Sequence, residues 1–204
     1  MTSAGFRCAR CGEWHDELPM AFAAAAPAYW EQASRWSRLK GVLGEEQCEI
    51  DGHYFVRARI VLPVRDADDD FEWGVWVSLS EESYRRVGEA WDREGRESEP
   101  PAFAWIQSEV GPYPPTLVLQ AWLYIQPVGV RPLAELEPTS HPLAREQRDG
   151  IDMARARELA AATLHPEPVA APEQAWEADP ELLRGWLERA AAAGNERARA
   201  ELGG

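Results

Sequence analysis

The run Cys8-Ala-Arg-Cys11-Gly-Glu-Trp-His15 constrains this chain more than any other stretch. Two thiols three residues apart, with a glycine behind them, resemble one half of a zinc knuckle: a tight turn presents both sulfurs to one tetrahedral ion without strain. A thioredoxin-like redox pair needs a strand before the motif and a helix starting at it, and Gly12 and Pro19 oppose that helix. Plain unliganded thiols are the remaining reading. A closed site needs two further donors, and His15, Cys48 and His53 stand nearest, in the spacing C-x2-C-x3-H and then C-x4-H. Five donors compete for four places, so one histidine is surplus. The expected ligands are Cys8, Cys11, His15 and Cys48, with His53 as the alternative to His15. Structural zinc contributes folding free energy directly, on the order of 10 kcal/mol in small peptides. Here it would pin the N-terminal segment to the sheet that follows.

The chain's charge narrows its partners. Its 204 residues carry 21 Lys and Arg against 35 Asp and Glu, a formal net charge of −14. Such a surface repels phosphate backbones, so generic binding to nucleic acid or to an anionic membrane is not expected. No apolar run approaches the roughly 20 residues that span a bilayer. The stretch Met20–Ala26 imitates a signal core, but Glu13, Asp16 and Glu17 stand where basic residues belong. Three cysteines do not make a disulfide framework, and a cytoplasmic location is expected. Ten tryptophans are read chiefly as core, since each buries on the order of 200 Å².

Periodicity places an α+β domain over residues 1–165: a central, mostly antiparallel sheet with helices packed on it, behind the zinc-knuckle-like segment. Residues 27–40 read as one helix with Trp30, Ala33, Trp36 and Leu39 on a single face. Residues 53–62 alternate, with Tyr54, Val56, Ala58, Ile60 and Leu62 pointing one way and Phe55, Arg57, Arg59 and Val61 the other. Residues 71–79 form a second, central strand, and Ser80 caps a helix over 81–94. Further strands are expected at 103–107, 116–126 and 131–136, and helices at 141–149 and 151–164. Pro166, Pro168 and Pro172 mark 166–178 as a linker, and 179–204 form a C-terminal helical tail. Part of that tail is similar to a Sel1-like repeat, but a single repeat cannot bury its own face. An Ala-rich helix, docked or fraying, is the simpler expectation.

Five separated stretches match one family in order: Cys8-x-x-Cys-Gly-x-x-His-Asp-x-Leu-Pro19, Glu46-Gln-Cys-x-Ile-Asp51, Trp73-Gly-Val-Trp-Val-Ser-Leu-Ser80, Tyr113-Pro-x-Thr116 and Glu137-Pro-Thr-x-His-Pro-Leu-Ala-x-Glu-Gln-Arg-x-Gly-Ile151. Together they resemble the family catalogued as domain of unknown function number 2199, over residues 6–165. The resemblance implies a shared fold and a shared Cys/His cluster, and no activity.

Other residues are weighed against plainer roles. His141 with Glu146 or Glu137 is a candidate acid–base pair, against the plainer reading that His141 and Thr139 cap a helix while Glu146 and Gln147 bond its neighbours. Arg57, Arg59 and Arg131 suit an anion, or else pair with the abundant carboxylates. Asp66, Asp68, Asp69 and Asp70 lack the glycine and distal glutamate of a calcium loop. No phosphate loop, dinucleotide fingerprint or nucleophile elbow is present. The expected function is therefore a zinc-stabilised, non-catalytic binding protein acting by protein–protein contact, and its acidity suits a basic partner. One alternative is a metal-dependent hydrolase with an open zinc site and Glu46 or Glu146 as base. The other is a small-molecule sensor with an aromatic pocket.

Overall fold

In the computed structural model, which describes residues 5–117, 119–166 and 176–203, the chain is α+β and its sheet closes on itself. The two longest strands are those with the clearest sequence pattern. They are β6 (His53–Leu62) and β7 (Phe71–Leu79), paired antiparallel from Tyr54↔Leu79 to Leu62↔Phe71. Short antiparallel pairings then add β8 (Ala102–Ile106), β9 (Gln120–Tyr124) and β10 (Leu133–Leu136). The last strand returns to the first: β10 lies parallel to β6 at Leu133↔Arg59, where Arg59 N–H donates to the Pro132 carbonyl at 2.9 Å. The expected mostly antiparallel sheet is thus closed into a five-stranded barrel, β6-β7-β8-β9-β10. A barrel this narrow admits only modest side chains, and Ala58, Ala102, Ala104, Ala121 and Ala134 are buried among Val56, Ile60, Val75, Val77 and Leu123.

Smaller strands extend the ring. A hairpin of β1 (Phe6–Arg7) and β2 (Trp14–His15) stands apart from the main sheet. Strand β3 (Ala21–Ala23) runs parallel to the first half of β7, while β4 (Val42–Leu43) and β5 (Gln47–Ile50) add to the early part of β6. The single helix expected over 27–40 is two, α1 (Ala28–Gln32) and α2 (Arg35–Lys40). Ser34 ends the first by accepting the amide of Ser37 at 3.1 Å, since a serine cap competes well with helix continuation. Trp30 and Ala33 pack on the sheet, but Trp36 is 75% exposed. Four tryptophans (Trp73, Trp76, Trp122 and Trp186) are buried, whereas Trp14, Trp36 and Trp105 are exposed.

After β7 comes α3 (Glu81–Ala90), capped by Ser80 as expected. The strand expected over 116–126 is only β9. Thr116 is instead buried in a turn, its hydroxyl donating to the Ser108 carbonyl and accepting the Val110 amide, which are bonds that compete with a ladder. Beyond the barrel lie α4 (Pro142–Asp149) and α5 (Met153–Leu164), whose Leu143, Leu159 and Ala160 join the main core. The expected linker at 166–178 falls mostly outside the described residues. The C-terminal segment forms two helices, α6 (Pro180–Ala192) and α7 (Glu196–Leu202). They pack on the barrel's outer wall through Trp186 and Leu187 against Trp122, with Phe103 and Tyr124 beside them.

Candidate metal centre

The β1–β2 hairpin forms because Gly12 adopts φ +76° and lets the chain double back, with Gly12 N–H donating to the Cys8 carbonyl and Cys8 N–H to that of Glu13. The turn brings Cys11 Sγ within 3.5 Å of His15 Nε2. With Zn–S near 2.3 Å and Zn–N near 2.0 Å, two donors of a tetrahedral ion stand about 3.5 Å apart, so this edge already has the right length. The fourth donor comes from the far end of the domain. His165 follows α5 directly, its amide held by the Ala161 carbonyl, and the donor atoms of Cys8, Cys11, His15 and His165 all lie within 4.8 Å of one another. His165 Nε2 is buried and has no hydrogen-bond partner among the described residues, so its lone pair is not committed elsewhere among them. The donor set thus fits a small, thiophilic divalent ion.

The surroundings hold these groups in place. The His15 ring stacks on Phe6 at 5.1 Å. Cys8 is buried, and Phe6 and Leu18 lie with it in the main core. Burial pushes the Cys8 thiol up, yet the amides of Cys11 and Arg10, the Cys11 side chain and the Arg10 charge outweigh it and leave the thiol below its usual range. A lowered thiol is nearer the thiolate that a metal takes. A cavity of about 350 Å3 opens beside the turn, lined by Ala9, Arg10, Pro112, Arg155 and Glu158 but by none of the four donors.

Three of the four ligands expected from the sequence therefore meet, and Cys48 does not join them. Alternation along β5 turns Cys48 and Ile50 inward, beneath Phe55 and Trp76. Burial there pushes the Cys48 thiol up to about 11, which marks a neutral core side chain. His53 is exposed and packs against Tyr29 at 4.4 Å. The sequence reading missed His165, although it directly follows a helix expected to end at 164.

The candidate acid–base pair is engaged in other bonds. His141 is fully buried at the start of α4, where Nδ1 accepts the Leu143 amide at 3.1 Å and Trp176 meets the ring edge-on at 4.6 Å. Burial pulls the imidazole below its usual range, more than the Pro114 and Pro115 carbonyls raise it. Glu146 accepts the Tyr113 hydroxyl and Arg155 Nε, the latter at 2.8 Å. Gln147 clamps β10, donating to the Ala134 carbonyl and accepting the Leu136 amide, both at 2.8 Å. The arginines face carboxylates or carbonyls: Arg59 pairs with Glu72, Arg131 binds Glu46 through two nitrogens, and Arg57 donates to the Ala24 and Glu45 carbonyls. In the acidic loop, Asp66 accepts the Met153 amide at the start of α5 and Asp70 that of Val64.

This is a small closed barrel with a Cys/His cluster fastened to its core by an N-terminal hairpin. The family model described as an uncharacterized protein conserved in bacteria, DUF2199, matches residues 7–151, and the chain belongs to that family. The match ends before α5, so His165 and the α6–α7 pair lie beyond it. No curated protein and no solved structure matches the chain. Among the described residues no helix is long and apolar enough to cross a membrane.

Proposed function

We propose that the protein is a zinc-stabilised binding module that acts by protein–protein contact and not by catalysis. The observation that carries this reading is the donor set: two sulfurs and two imidazoles within 4.8 Å supply all four positions of a tetrahedral ion. A hydrolase would need one of those positions open for water. Zinc at this place ties the β1–β2 hairpin to the end of α5, which suits a structural role. The contact surface is the exposed run Trp36, Leu39 and Val42, each at least 65% exposed within seven residues. Apolar groups in such a cluster mark a surface that meets another protein. At longer range the net charge of −14 favours a basic partner. A reduced thiol pair of this kind fits the cytoplasm.

The test is metal content, by mass spectrometry, of protein made without a polyhistidine tag. Cys8→Ser, His165→Ala and Cys48→Ser are measured alongside, with thermal unfolding for each. Roughly one zinc per chain, lost with stability in the first two variants and kept in the third, is the expected result. Zinc lost without any fall in stability would point to a working metal and to hydrolysis assays. Protein free of metal would sink the zinc reading.

A further inference from the structure

A cavity of about 460 Å3 lies at the seam between the barrel, α4 and α6, and none of the four Cys/His donors lines it. Its apolar lining includes Val61 of β6, Leu133 of β10, Ala144 of α4, and Leu182 and Trp186 of α6. Val61 and Leu133 are unusual here. On β6 the other outward positions after Phe55 are Arg57 and Arg59, and only Val61 turns an aliphatic side chain outward. Leu182 is 37% exposed, a large aliphatic group with little protein around it. The size falls in the range of roughly 300–1,000 Å3 typical of small-molecule sites, which are mostly apolar.

The polar groups at this cavity are already partly engaged within the protein. Trp186 Nε1 donates to the Glu135 carbonyl at 3.3 Å, and both ends of the Gln147 amide are held by β10. Of the two cations lining it, Arg189 pairs with Glu135 and Arg148 binds Asp149 through two nitrogens at 2.8 Å. The carboxylates already paired with both arginines offset their pull on an anionic guest, and a hydrogen-bonding guest would give up water against an apolar wall, whereas a hydrocarbon or aromatic guest gains burial without that cost. We infer that this seam is a binding site for a neutral, apolar small molecule with an aromatic or aliphatic body. Because α6 supplies one wall and the barrel the other, the occupant also fastens α6 to the family-matched domain.

The test uses the full chain and N-phenyl-1-naphthylamine, a neutral apolar fluorophore. Saturable binding with enhanced emission is expected, with affinity that does not weaken as salt is raised. Leu182→Trp, which fills the mouth, and Val61→Asn, which makes the floor polar, should each weaken binding about tenfold or more, while thermal unfolding confirms that both variants fold. Trp36→Ser should leave binding unchanged, and hydrogen exchange over residues 182–190 should slow when the probe is bound. Non-saturable binding, binding indifferent to Leu182→Trp and Val61→Asn, or binding lost in Trp36→Ser would overturn the assignment. Tighter binding of the sulfonated analogue, weakening with salt, would overturn the neutral class in favour of an anion held by Arg148 and Arg189.

Discussion

The imidazole of His165 meets that of His15 edge-on, with ring centroids 5.7 Å apart, although one belongs to the first hairpin and the other to the end of α5. Whatever holds these rings holds both borders of the domain. If the cluster holds zinc as proposed, a chelator should lower the melting temperature by several degrees or more, since a loss of 1 kcal/mol shifts it by about 2–4 °C in a chain of this size. Limited proteolysis should then cut first near residues 8–15 and after α5. Unchanged melting and cleavage on chelation would show that the cluster ties nothing.

His141 gives the fold a pH dependence whose sign follows from its burial. Its pKa is held below the ordinary 6.5, so the folded state favours the neutral ring. Stability is complete above that ordinary value and is lost as pH falls from it towards the lower folded value. His141→Asn keeps a good helix cap but does not titrate. Urea unfolding at a series of pH values should show a flatter acid limb in this variant than in the wild type. Equal slopes would contradict the neutral buried ring.

Trp186 is 2% exposed and joins α6 to Trp122, with ring centroids 5.1 Å apart. Trp186→Ala should cost about 3–5 kcal/mol where the whole chain unfolds together, as is usual for truncating a buried aromatic. If α6 and α7 detach separately, the same loss will appear as hydrogen exchange confined to residues 180–202. Neither signal would mean that this packing contributes nothing.

Gly150 ends α4 with φ +71°, and an added Cβ would sit 2.9 Å from the Pro63 carbonyl oxygen. That same carbonyl accepts the Ile151 amide, and Arg65 donates to the carbonyls of Asp149 and Gly150. Gly150→Ala should therefore destabilise by about 1–3 kcal/mol, from left-handed backbone and close approach together. Chemical denaturation reads this directly, with Gly129→Ala as the comparison, since Gly129 has positive φ but open space around it.

Trp36 and Leu39 belong to the opposite class. Replacing both with serine should change stability by no more than about 0.5 kcal/mol while shortening retention on a hydrophobic column. A large loss of stability would mean that they pack in solution and do not form a contact surface.

Strands β6 and β7 could be read from the sequence to the residue, because their inward positions alternate or are wholly apolar. The caps at Ser80 and His141 were equally plain, since each stands just before a helical run. Barrel closure was not, because Leu133 and Arg59 pair only when two distant segments meet. The split at Ser34 was hidden by Trp30, Ala33, Trp36 and Leu39, whose spacing imitates one amphipathic helix. The candidate Cys/His cluster divides in the same way. Cys8, Cys11 and His15 share one turn and are visible as a motif, whereas His165 reaches them only through the packing of α5. Cys48 is a nearby donor in the chain, but strand alternation turns it into the core.

The parallel seam between β10 and β6 also bears on how the protein is made. A ribosome delivers β6 and β7 early, and the two can zip together as a hairpin before later strands exist. The far edge of β6 has no β10 to meet until residue 136 has left the exit tunnel, and the thiols of the first hairpin wait longer still for His165. During that interval a nascent chain carries open strand edges and uncovered apolar surface, the state in which chains of this size are most prone to associate wrongly. Slow passage through the stretch between β7 and β10 would lengthen the interval before the barrel can close.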